Sequence, residues 1–224
     1  MAFSTEWEEV YRRGQQQSIW PWSDVVSYVM RYARSNREPY RVLELGFGAG
    51  ANVSFFLSIG ADYSGTEGSA TAVELVRKRF SHAENFHVEC CDFTQEIPFD
   101  GLFDLVIDRS SLTHNGTAAI RLCLQRVSHA IRPGGKFIGI DWFSTENSDF
   151  LTGRESEDYF TRISFPAGQF QGVGTVHFSN QAHLTALLDE AGFITERIEH
   201  KLSDTLLPSG NGRMAWWNFV AVKP

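Results

Sequence analysis

The chain has 224 residues, 42% of them hydrophobic and 21% charged, with three cysteines and a formal net charge of -7. A chain of that length can bury about 70% of its unfolded surface without a disulfide or metal staple, so one domain over 1–224 is expected, with a small-molecule partner. The acid excess argues against a nucleic-acid partner, because phosphate contacts call for a basic field.

The cysteines are odd in number, two are adjacent (Cys90 and Cys91), and none has metal-ligand spacing, so reduced thiols in a cytoplasmic protein are expected, with no metal. The acidic segment Met1 to Val10 does not have the make-up of a signal peptide. No stretch reaches the roughly 20 apolar residues of a membrane span, so no membrane partner is expected.

In chain order, Trp7, Val10 and Tyr11 fall at helical spacing, and Trp20-Pro21-Trp22 breaks that pattern. Ser23-Asp24 is read as the cap of a second helix running to Ala33. These elements form an expected helical cover over 1–38. From Tyr40 the pattern becomes strand and helix in alternation. Tyr40–Leu45 is a strand, Asn52–Ile59 a helix stopped by Gly60, and Tyr63–Thr66 a strand. Ser69 caps a helix over Ala70–Phe80, and Phe86–Cys91 is a third strand. Phe103–Asp108 has the continuous apolar core of a strand buried on both faces. Thr117–Ile131 is a helix ended by Pro133-Gly134-Gly135, and Lys136–Trp142 is a fifth strand.

Ser144–Phe178 breaks the alternation. It is read as an insertion, a possible substrate lid. Ser179 is expected to cap a helix that stops at Gly192. Two closing strands, Ile194–Lys201 and Trp216–Val222, flank a turn-rich stretch from Pro208 to Gly212. Successive strand-helix units imply a parallel sheet with helices on both faces, the α/β doubly wound class. Ligands of such sheets bind beyond the carboxyl ends of the strands, where strand order reverses.

The first strand ends in Glu44-Leu45-Gly46-Phe47-Gly48-Ala49-Gly50. Glycines there let the backbone turn sharply and approach a ligand. The spacing also satisfies the dinucleotide pattern G-x-G-x-x-G/A, so the glycines alone fit two cofactor classes. Three carboxylates discriminate. Glu44 before the turn would repel a pyrophosphate but suits the ammonium of a methionine moiety. Glu67, ending the second strand, can accept both hydroxyls of a ribose. Asp92, ending the third, can accept from the exocyclic amine of adenine, with Phe93 or Phe47 against the ring.

This arrangement resembles the class I S-adenosylmethionine-dependent methyltransferases from about Tyr40 to the C-terminus. The resemblance implies a Rossmann-like methyltransferase fold, a mostly parallel seven-stranded sheet with an antiparallel last strand. It implies S-adenosylmethionine as cofactor and S-adenosylhomocysteine as product. Glu44, Gly46, Gly48, Glu67 and Asp92 become cofactor contacts, and Asp108 and Arg109 are placed beside the sulfonium. Many relatives carry Asp where this chain has Glu44.

Methyl transfer needs a nucleophile held in line and, for some acceptors, a base. Asp108-Arg109-Ser110-Ser111-Leu112-Thr113-His114-Asn115 lies where the methyl is expected, and His114 is the candidate base. Asp141 is a second, with Trp142 and Phe143 as acceptor-pocket walls. Trp20 is a candidate cover over the cofactor. His177 and His183 read as structural or lid residues, and the phenylalanines of the insertion as an acceptor wall or a satellite core. No Asn-Pro-Pro-Tyr follows the fourth strand and no Pro-Cys nucleophile is present, so methylation of an oxygen or nitrogen of a small molecule is expected. A cofactor-binding regulator without catalysis and an NAD-dependent dehydrogenase are the alternatives, the latter without a Tyr-x-x-x-Lys pair.

Overall fold

The computed structural model describes residues 5–207 and 212–224. Residues 208–211 of the turn read at 208–212, and the first four residues, lie outside the described residues. Helix α1 (Thr5–Arg12) and helix α2 (Ser23–Tyr28) precede the sheet, and α2 runs on into a π-helical turn, Val29–Ala33. Then come β1 (Tyr40–Leu45), α3 (Val53–Ser58), β2 (Ala61–Glu67), α4 (Ala70–Arg79), β3 (Phe86–Cys90) and β4 (Phe103–Arg109). Helix α5 (Thr117–Ala130) leads into β5 (Ile131–Phe143), and β6 (Arg154–Glu155), β7 (Thr161–Ile163) and β8 (Val176–His177) follow. Helix α6 (Gln181–Glu190) and strands β9 (Ile194–Asp204) and β10 (Arg213–Val222) close the chain.

The main sheet has the order β3-β2-β1-β4-β5-β10-β9. Strands β1 to β5 are parallel, and β10 runs antiparallel to both β5 and β9. Strand order reverses between β1 and β4, which puts a crevice at their carboxyl ends. Alternation along each strand divides the core in two. Val42, Leu105 and Ile138 pack with α2, α3 and α4, whereas Leu43, Val106 and Phe137 pack with α5 and α6. Full burial of each such side chain contributes about 1.5–3 kcal/mol.

Several local readings hold in detail. The Ser69 hydroxyl accepts from Ala72 N at 3.2 Å and caps α4, and Gly60, at φ 76°, ends α3. Others are corrected. Ser23 and Asp24 do not cap α2: its cap position is Trp22, without a side-chain bond, and Asp24 instead pairs with Lys201. Asn180, not Ser179, caps α6, its carbonyl accepting from His183 N at 2.8 Å. Strand β5 starts five residues before Lys136 because Gly134 and Gly135 exchange backbone hydrogen bonds with Lys223, so the Pro-Gly-Gly stretch is drawn into the sheet.

The insertion has regular structure of its own. It forms a three-stranded antiparallel sheet, β6-β7-β8, over a satellite core of Phe150, Phe165, Phe170, Val176 and Phe178. His177 ties it down: its nitrogens meet the hydroxyls of Thr117 and Ser179, each at 3.2 Å. His183 stacks on Phe160 with ring centroids 3.7 Å apart. All three cysteines are free. Among the described residues, no helix is long and apolar enough to cross a membrane, and no group of three or more His, Cys, Asp or Glu is arranged to hold a metal ion.

Candidate functional site

A cavity of about 400 Å³ opens at the carboxyl ends of the parallel strands. Its floor is the turn after β1, where Gly46, Gly48 and Gly50 have φ of 62°, 56° and 76°. A side chain is excluded as well as strained. A Cβ on Gly46 would lie 2.2 Å from Ser111 Oγ, and one on Gly48 would lie 2.6 Å from the Tyr11 hydroxyl. The glycines thus let β1 nest against the turn after β4 on one side and α1 on the other.

Three carboxylates reach this cavity from three strand ends. Glu44, 3% exposed, accepts from Asn52 Nδ2 and from the Tyr63 hydroxyl, both at 2.7 Å. Burial pushes its carboxyl up to about 7, against the pull of those two bonds. Glu67 accepts from Gly48 N and Ser69 N, both at 2.9 Å, so the acid at the end of β2 also shapes the glycine turn. Burial raises its pKa, and the backbone donors oppose that. Asp92 accepts from Thr94 N at 3.0 Å and from the Thr94 hydroxyl at 2.6 Å. Phe47 and Phe93 line the same space, each nearly buried.

The cover comes from α1. Glu8 accepts from the hydroxyls of Ser69 and Thr71 at 2.5 and 2.6 Å, and these bonds hold its carboxyl down at about 2. The latch sets Trp7 and Tyr11, one turn apart, over the cavity. Trp7 meets the His114 ring edge-on, centroids 4.9 Å apart. Neither aromatic was picked out as a site residue from sequence. Their spacing on one face was the available signal, and it reads equally well as core. Asn52 was missed too. It links Glu44 to the backbone N–H of Trp22, which donates to Asn52 Oδ1 at 3.1 Å.

The far side is built by the ends of β4, β5 and β10. Arg109 donates from Nη2 to Asp141 at 2.8 Å, and its guanidinium lies 3.6 Å from the centre of the Trp22 ring. Asp141 has φ 58°, and the β5–β10 register slips by one residue there. This is a bulge, which re-aims side chains beside a site. Asn218 Oδ1 accepts from Asp141 N at 2.8 Å and holds it open. Burial raises the Asp141 carboxyl, and Arg109 opposes the rise.

His114 sits in a short 3-10 turn between the edges of Trp7 and Phe143, and its Nδ1 is buried without a hydrogen-bond partner. Burial pulls its pKa down to about 4, against a hydrogen bond with the backbone of Thr175, so the ring is neutral at pH 7.

Three expected site residues do not line the cavity. Asp108 is fully buried and points inward. It accepts from Leu112 N at 3.0 Å and from Trp142 Nε1 at 2.7 Å, so it fixes the turn that carries His114. Trp142 is likewise core and no pocket wall, because the bulge at Asp141 turns it toward α5 and α6. Trp20 is 75% exposed, and its neighbour Trp22 takes the place expected of it. Glu44, Gly46, Phe47, Gly48, Glu67, Asp92, Phe93, Arg109, His114, Asp141 and Phe143 do border the cavity.

Residues 42–135 match the family model described as "Methyltransferase domain". No curated protein matches the chain. Solved structures of the same fold are many. A S-adenosylmethionine-dependent methyltransferase from Methanosarcina mazei is 16% identical, with a TM-score of 0.68 over 91% of this chain and 98% of its own. A protein solved in a study of the conversion of a disulfide bond into a thioacetal group during echinomycin biosynthesis is 20% identical, with a TM-score of 0.69 over 98% and 92%. Phosphoethanolamine N-methyltransferase 2 of Haemonchus contortus, in complex with S-adenosyl-L-methionine, is 17% identical, with a TM-score of 0.67. That match covers 98% of this chain but 56% of the Haemonchus protein.

Proposed function

We propose that this chain, a class I S-adenosylmethionine-dependent methyltransferase by its matched domain and its fold, methylates an oxygen or nitrogen atom of a small-molecule acceptor. The observation that carries the reading is that Glu44, Glu67 and Asp92 border the same cavity as His114. The residues fit the cofactor. Glu44 is a buried carboxylate whose two bonded donors, Asn52 and Tyr63, are both neutral, so it favours an incoming ammonium.

In this reading Glu44 holds the ammonium of the methionine moiety, Glu67 the ribose hydroxyls and Asp92 the adenine amine, with Phe47 or Phe93 against the ring. Gly46 and Gly48 let the backbone come close. When bound, the cofactor would supply a methyl group already activated by its sulfonium.

The protein's own tasks are then alignment, exclusion of water and proton removal. Trp7, Tyr11 and Trp22 exclude water from above. Positioning alone can supply about 7–11 kcal/mol of a barrier. His114, neutral at pH 7, takes the proton from the acceptor's O–H or N–H as the new bond to carbon forms. With a basicity near 4 it gives that proton up to water and returns to its starting state. Asp141, engaged by Arg109, shapes the acceptor end and does not serve as base.

Single-turnover transfer to a panel of small hydroxylated and amino acceptors, followed by formation of S-adenosylhomocysteine, tests this. His114→Ala is expected to slow transfer by about 10²-fold with S-adenosylhomocysteine affinity unchanged. An unchanged rate in that variant removes His114 from the mechanism.

A further inference from the structure

An asparagine at the start of a helix usually turns its side-chain oxygen onto that helix's own free N–H groups. Asn52 has this place before α3 and makes no such bond. Its amide, in a residue only 3% exposed, is spent elsewhere. Nδ2 donates to Glu44 Oε1 at 2.7 Å, and Oδ1 accepts from the backbone N–H of Trp22, 30 residues earlier, at 3.1 Å. The local cap is forgone for two bonds to other parts of the chain. Asn52 and both of its partners border the cavity.

Few side chains could make this pair of bonds. Glu44 calls for a donor and the Trp22 N–H for an acceptor, and an amide offers one of each on a single rigid plane. A carboxylate at position 52 would accept at both ends and repel Glu44, and an apolar side chain would leave both partners unmet. Nor can the amide be reversed, because that would set oxygen against oxygen and N–H against N–H. The Tyr63 hydroxyl donates to Glu44 Oε2 at 2.7 Å. The carboxylate is thus held by one donor on each oxygen, and each oxygen keeps a lone pair for a ligand. The centre of the Trp22 ring in turn lies 3.6 Å from the Arg109 guanidinium, which donates to Asp141 at 2.8 Å.

We propose that Asn52 is a positioning residue that acts on the cofactor through Glu44 and on the start of α2 through Trp22, so that one side chain sets both. The inference rests on the methyl-transfer reading above, in which Glu44 receives the ammonium. An ionised carboxylate draws a donor more strongly than a protonated one. An ammonium that favours ionised Glu44 therefore tightens the Asn52 bond and, across the polarised amide, the Trp22 bond. The other charged and titratable groups that face Glu44 are Tyr63 and Glu67 of β2 and Asp108 and Arg109 of β4, and a substitution at position 52 leaves all four in place.

The test is a calorimetric titration of the full chain with S-adenosylhomocysteine across the pH range, alongside hydrogen exchange at the Trp22 amide, in the native chain and two variants. Asn52→Leu removes both bonds. Asn52→Asp keeps an acceptor for the Trp22 N–H but gives Glu44 a second acid in place of a donor. In both variants the midpoint of the pH-dependent rise in affinity is expected to move up by about one pH unit, because the ionised carboxylate has lost a bond. A side chain that only fills space would weaken binding alike at every pH and leave that midpoint where it was. In the native chain the ligand is expected to slow exchange at the Trp22 amide by about threefold to tenfold, and Asn52→Leu is expected to abolish that slowing. An unmoved midpoint in both variants, or slowing that persists in Asn52→Leu, overturns the inference. If circular dichroism shows Asn52→Leu unfolded, the midpoint in Asn52→Asp decides. A native chain that fails to bind S-adenosylhomocysteine, or binds it without pH dependence, overturns the reading of Glu44 itself and this inference with it.

Discussion

The two ends of the cavity are built on opposite principles. At the carboxylate end each charged group is already satisfied within the protein: Glu67 by the N–H groups of Gly48 and Ser69, Glu44 by Asn52 and Tyr63, Asp92 by Thr94. At the far end, nitrogens of Arg109, His114, Asn147 and Trp216 are left without partners. The first end is built at the carboxyl ends of three successive strands, β1, β2 and β3. The second is assembled from β4, β5, β10 and the insertion, which meet only after the chain has folded.

That contrast can be broken most severely at the glycine turn. Gly46→Ala places a Cβ 2.2 Å from Ser111 Oγ on a residue at φ 62°. S-adenosylhomocysteine affinity is expected to fall by at least about 10²-fold, since strain at positive φ adds to the clash. Calorimetry alongside circular dichroism reads this, and near-normal affinity would mean the turn is softer than its packing implies. At the other end, His114→Ala should spare cofactor binding and slow only transfer.

The smallest effect is expected where the cover is latched. The Glu8 carboxyl is held at about 2, below its unfolded value near 4.5, so its contribution to docking α1 is fully present above about pH 4.5 and fades as pH falls toward 2. Glu8→Gln is expected to speed S-adenosylhomocysteine dissociation by about threefold to tenfold, as charge-assisted bonds become neutral ones. Stopped-flow displacement measures it. An unchanged rate would show that α1 does not gate the cofactor.

The carboxylate end was legible because its residues recur at successive strand ends. Glu44, Gly46, Gly48, Glu67 and Asp92 each sit at the end of a strand that apolar patterning marks out, and all of them border the cavity. Asp108 sits at such an end too, yet it faces inward. The bulge at Asp141 swings Trp142 into the core and gives that carboxylate an indole partner. No pattern in the strand foretells a left-handed aspartate held by Asn218, 77 residues away in sequence. Trp20 and Trp22 differ for a similar reason. The motif Trp-Pro-Trp does not say which ring will find Arg109. Asn147 and Trp216 were invisible for want of any spacing rule, because only the β5–β10 register and the loop after β5 bring them to the cavity.

The central claim is that the cavity takes S-adenosylmethionine with its ammonium on Glu44. In the free protein Glu44 titrates at about 7, so the folded state keeps a proton that the unfolded chain has lost between about pH 4.5 and 7. An ammonium favours the ionised form, so ligand affinity must rise with pH through that range. Titration of S-adenosylhomocysteine into the native chain at pH 6 and pH 8 measures this directly. About tenfold tighter binding at pH 8, and the loss of that dependence in Glu44→Gln, is the predicted result. Binding that ignores pH, or no binding of S-adenosylhomocysteine where NAD binds, would contradict it.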